Sequence, residues 1–101
     1  MKVKILGMDY TVKMCGEGEL SDGDYIGRIV TKKALIRIDK TAETQPQEEL
    51  LIHEILHGID LAMDTQIKET VIKRLANGFY AVLKDNPHIF EYKWNNNKEI
   101  E

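Results

Sequence analysis

Apolar and polar residues alternate at period two over the first third of the chain and recur every three to four residues thereafter, so the pattern predicts a sheet followed by helices. Val3 and Ile5, then Tyr10, Val12 and Met14 beyond a Gly7-Met8-Asp9 turn, read as a β-hairpin. The segment from Cys15 to Asp24 holds three glycines and four acids and reads as an exposed loop. "YIGRIV" and "ALIRID" add strand-like stretches, the second with Ala34, Ile36 and Ile38 on one face and Leu35, Arg37 and Asp39 on the other. The expectation for this third is a small antiparallel sheet.

Thr44 and Gln47 stand at capping-box spacing and Pro46 suits a first helical turn, so a helix is expected to start near Pro46. Leu51, Ile52, Ile55, Leu56, Ile59, Ala62 and Met63 fill a broad arc of it, with Leu50 and Leu61 on the far side, as in a helix buried nearly all round. After a break at Asp64-Thr65, a second helix from about Gln66 to Lys84 presents Val71, Ile72, Leu75, Ala76, Phe79, Val82 and Leu83 on one face. So short a link makes the two helices antiparallel neighbours. Asp85 to Pro87 ends the second helix, and "HIFEYKW" reads as one more edge strand. The fold class expected is α+β, a small antiparallel sheet packed on a two-helix hairpin, with a single domain over 1–94 and a polar tail over 95–101.

What breaks the pattern is chemistry. The first helix carries His53, Glu54 and His57 inside the apolar run "LLIHEILHGID". Two imidazoles and a carboxylate buried without partners would cost several kcal/mol, and a metal ion removes that cost. Histidines four apart share one helix face and can grip one ion from two sides, while the intervening glutamate lies about 100° round, beside the ion. This is H-E-x-x-H on a helix, a two-histidine zinc site with Glu54 as general base.

A catalytic zinc usually takes a third protein ligand. Glu69, in the second helix, faces the level of His57 across an antiparallel hairpin, and Ala76 beside it leaves room; a first-turn glutamate is also favoured by the helix dipole alone. Asp60 and Asp64 share the histidine face, in supporting or capping roles, with Asp60 the other candidate for third ligand. Tyr80 falls near the Glu69 face and would polarise a carbonyl or simply pack. Gly58, costly in a helix interior, reads either as a close backbone approach or as a glycine tolerated without purpose. Cys15 reads as incidental, and His88, next to Pro87, as a turn residue.

Charge and composition exclude other classes. A net charge of −3 with scattered Lys and Arg is no footprint of a nucleic-acid binder. One cysteine permits no intramolecular disulfide, and the "MKVKILGMDY" start is too short for a leader core or a membrane span, so the expected compartment is the cytoplasm, with neither nucleic acid nor membrane as partner.

"ELLIHEILHGID", followed by "KETVIKRLANGFYAVLKDNP" and preceded by "YIGRIV" and "ALIRID", resembles the small zincin metallopeptidases of phages and conjugative elements, relatives of the ImmA/IrrE-type proteases that cut repressors. The resemblance covers roughly residues 27–87. It implies a zincin-like fold and a minimal gluzincin, with His53, His57 and Glu69 holding Zn2+ and Glu54 as base. Its spacing departs from thermolysin-like enzymes, with only eleven residues between His57 and Glu69. The function expected is peptide-bond hydrolysis, on an extended peptide or protein bound by strand addition at a sheet edge, with a repressor-type regulator as the substrate that the resemblance suggests. The alternative is a non-catalytic interaction module of a mobile element, zinc-stabilised or metal-free. Retention of Glu54 favours catalysis, because a structural site has no use for it. Deformylases share the motif but take a cysteine ligand from a specific strand sequence that "MCGEGEL" does not supply.

Overall fold

The computed structural model describes residues 1–16, 27–30, 34–41 and 45–91. It is an α+β fold of three layers. Strands β1 (Lys2–Ile5), β2 (Met8–Cys15), β3 (Gly27–Val30) and β4 (Leu35–Asp39) form one sheet, followed by helices α1 (Gln47–Met63) and α2 (Glu69–Asp85). β1 and β2 are the expected hairpin, but it turns at Leu6 and Gly7, both with positive φ, while Met8 and Asp9, expected in the turn, open β2 and pair with Ile5 and Lys4. Gly7 carries the larger value, 88°, a conformation that glycine adopts without the steric cost of a Cβ.

The sheet is mixed, where an all-antiparallel one was expected. Its order is β1-β2-β4-β3, with β4 antiparallel to β3 but parallel to β2. The chain leaves β2 and re-enters at the far edge as β3, so β4 returns between them in the direction of β2. Alternation along a strand fixes which face is buried and not which strand lies alongside. Ile36 and Ile38 point into the core as expected. Met14 does not: it is exposed, and Cys15, expected in a loop, is the buried end of β2.

α1 lies across one face of the sheet, touching β1, β3 and β4, and α2 packs chiefly on α1. Ile5, Tyr10, Ile36, Ile38 and Leu50 form the core, with Leu51, Ile55 and Ile59 against it. Leu50, expected on the far side, is thus the most deeply buried leucine of α1, whereas Leu61, Ala62 and Met63 are exposed. The sheet covers a stripe running through Leu50, Glu54 and Gly58. At Gly58 an added Cβ would stand 2.8 Å from the Ile5 Cδ1 and 2.9 Å from the Ile29 Cδ1, so of its two readings the close approach is the one present.

α1 begins without a side-chain cap: Pro46 is the N-cap and the Gln47 amide donates to the Lys40 carbonyl. Thr44, the other half of the expected capping box, lies outside the described residues. The link to α2 is longer than the expected two-residue break. It runs from Asp64, in the left-handed conformation as the C-cap of α1, to Lys68, the N-cap of α2, so Glu69 is the first residue of α2 rather than a turn inside it. Beyond α2, Ile89–Glu91 form a short 3-10 turn where an edge strand was expected; the remainder of that stretch and the tail lie outside the described residues. Among the described residues, no helix is long and apolar enough to cross a membrane.

Candidate metal centre

α1 carries a second stripe, one to one and a half residues' rotation from the sheet-facing one: Glu49, His53, His57 and Asp60, spaced by helical turns. It faces α2. Glu69 meets His53 and His57, Asn77 meets Glu49, and Lys84 meets Glu48, an order that makes the helices antiparallel as expected.

At the linker end of this seam three side chains converge. The His53 Nε2 is 2.8 Å from the Glu69 Oε1, the His57 Nε2 is 2.6 Å from the Glu69 Oε2, and the two Nε2 atoms are 3.0 Å apart. One potential donor atom from each residue lies within 4.8 Å of the others. Zinc bonds of about 2.0–2.1 Å give a tetrahedron with edges of roughly 3.3 Å, so the triangle has the donor chemistry and nearly the size that such an ion needs. The side chains of His53, His57 and Glu69 are 12%, 25% and 49% exposed, so the cluster is walled on the α1 side and open to solvent past Glu69. A zinc site with three protein ligands needs such an opening for a fourth.

Burial holds the His53 imidazole below its ordinary pKa, against the opposing pull of Glu69. It therefore stays neutral at neutral pH, the form that ligates.

Glu54 is only 5% exposed, turned toward the sheet between α1 and β3. Burial, and next the repulsion of the nearby Glu69 carboxylate, push its pKa up to about 7, and a backbone hydrogen bond from Ile29 pulls the other way. Among the described residues β3 is an edge strand, so a carboxyl group able to exchange a proton near neutrality lies beside an edge of the sheet.

Asp60 is not among the converging ligands. Its Oδ1 accepts from the Ile67 N–H at 2.9 Å and from the Thr65 hydroxyl at 2.5 Å, which holds its pKa down and ties the α1–α2 linker to α1. The carboxylate thus fixes the path that brings Glu69 back onto the histidines. Tyr80 lies three turns along α2 from Glu69, roughly 16 Å at 1.5 Å per residue, with Lys84 over its ring, so it does not reach the cluster as expected. The Cys15 Sγ faces the Lys13 carbonyl, and His88 pairs with Glu91 after α2.

Sequence reasoning missed Glu49. It is buried one turn before His53, and its two oxygens accept from the amides of Gln45 and Asn77 at 2.5 and 3.0 Å. The signal was present: Glu49, His53 and His57 repeat at intervals of four, and a face with three polar residues in an apolar helix must meet a polar partner. No family model, curated protein or solved structure matches the chain.

Proposed function

We propose that the chain is a zinc-dependent peptidase of the gluzincin type, on the observation that both imidazoles of the H-E-x-x-H motif meet the Glu69 carboxylate within 3 Å, with Glu54 buried beside them. His53, His57 and Glu69 would hold the ion. Bound there, zinc supplies Lewis acidity to a carbonyl and lowers the pKa of a water toward ~7. Glu54 takes the proton from the attacking water and delivers it to the leaving amine, a double duty that suits a carboxyl whose pKa is near 7. The outer edge of β3, unpaired among the described residues, is the place for an extended substrate, which would add to the sheet by backbone hydrogen bonds with its scissile bond near the start of α2. Asp60 keeps Glu69 in place through the linker.

A zinc-stabilised module without catalysis would need the three ligands but not Glu54. The two readings separate in Glu54→Gln. For a peptidase, this variant binds zinc as the parent does and loses cleavage of peptides by roughly 10²–10⁴-fold. Equal cleavage by parent and variant would refute the role of Glu54. The repressor-type substrate suggested by the resemblance, and a cytoplasmic setting in a phage or mobile element, belong to this same proposal.

A further inference from the structure

Among the described residues α2 is the outermost layer of the fold, and its apolar surface is wider than α1 can cover. Ile72 and Ala76 are buried against α1, but Val71, Leu75, Phe79 and Val82 remain 39–49% exposed. At about 100° per residue, Val71, Leu75 and Val82 lie within about 40° of one another on one flank of α2, about 100° round from the buried Ile72 and Ala76, spaced as in a helix-packing seam. Phe79 flanks this seam on one side. Arg74 and Asp85, both exposed, flank it on the other, and among the described residues neither has an ion-pair partner.

We propose that this face is self-complementary, and that α2 packs antiparallel against α2 of a second copy of the chain about a twofold axis near Phe79 and Tyr80. In that register three matches occur together. Each Arg74 stands opposite the other copy's Asp85, and the two ion pairs are equivalent by symmetry. Each Val82 comes within about 1.5 Å, along the helix axis, of the other copy's Gly78, whose missing side chain has nothing within 4 Å and so leaves a notch. The two Phe79 rings meet across the axis on the remaining flank. Within one helix Arg74 and Asp85 are eleven residues apart, roughly 16 Å, so they cannot satisfy one another in the same chain. A face meant only for solvent has no need of opposite charges placed so that reversal of the helix pairs them.

The test is sedimentation velocity on the full chain at micromolar concentrations, with EDTA present so that no metal bridges copies. A reversible dimer is expected, lost in Phe79→Lys. Arg74→Glu and Asp85→Lys should each weaken association by roughly tenfold, and the double variant should restore it, since only pairing between copies joins these two positions. If Phe79→Lys fails to fold, the charge reversals at exposed positions still decide. A chain that stays monomeric overturns the proposal, whether the face is bare or covered by residues 92–101. So does a dimer indifferent to Phe79→Lys, or charge reversals that do not rescue each other.

Discussion

Glu54 offers a prediction that needs no substrate. In the metal-free protein, replacing it by glutamine should raise stability, and by an amount that depends on pH. The parent carboxyl has a pKa near 7 when folded, against an ordinary 4.5, chiefly because burial disfavours its charge. Below pH 4.5 it is protonated both folded and unfolded and carries no penalty. Between 4.5 and about 7 the unfolded chain releases the proton and the folded chain keeps it, so stability falls as pH rises. Above 7 the full difference applies, about 3 kcal/mol at 1.36 kcal/mol per pKa unit. Glutamine has no charge to bury and still offers an oxygen to the Ile29 N–H, so the variant escapes this loss. Urea denaturation in EDTA at pH 5 and pH 8 should show the two proteins drawing apart at the higher pH by about 2–3 kcal/mol, and melting temperatures separating by roughly 10 °C. All other ionisable groups are common to the two proteins and largely cancel in the comparison. A difference that is the same at both pH values would refute the claim that this carboxylate is charged at a cost inside the fold.

Three further outcomes follow from contacts in the helix seam and beneath it. Asp60→Ala frees the linker and should weaken zinc binding by roughly tenfold while the circular-dichroism spectrum keeps its helix content; in the parent, the same clamp is intact above pH 3.8 and is released as pH falls through its lower folded pKa. Asn77→Ala leaves one oxygen of the buried Glu49 without its donor and should cost about 1–3 kcal/mol in urea denaturation, whereas Glu49→Met with Asn77→Leu should recover most of that loss. Gly58→Val pushes a branched side chain into the δ1 methyl groups of Ile5 and Ile29 and should destabilise by about 1–3 kcal/mol, measured in the same way.

Much of the site was legible in the sequence because its grammar is local. His53, Glu54 and His57 are placed by helix geometry alone, and Glu69 was the favoured third candidate, with Asp60 still open, once a short link made the two helices antiparallel. Leu50 was misplaced because an all-apolar arc cannot say which of its sides meets the sheet. That choice was made by Glu54 and Gly58, which share its stripe, one turning toward β3 and the other letting β1 and β3 approach. The parallel pairing of β2 with β4 was invisible for a related reason, since alternation is satisfied by any neighbour. The roles of Asp60 and Glu49 depend on partners at Ile67 and Asn77 that no spacing rule connects to them.

The central claim is that His53, His57 and Glu69 form one zinc site, and the most direct measurement is zinc content per chain after loading and dialysis, in the parent and in four variants. One zinc per chain is predicted for the parent and for Glu54→Gln, with binding weakened at least tenfold in His53→Ala, His57→Ala and Glu69→Ala. Full zinc content in folded Glu69→Ala would contradict the account, because the ion would then be held without the residue on which α2 closes the site.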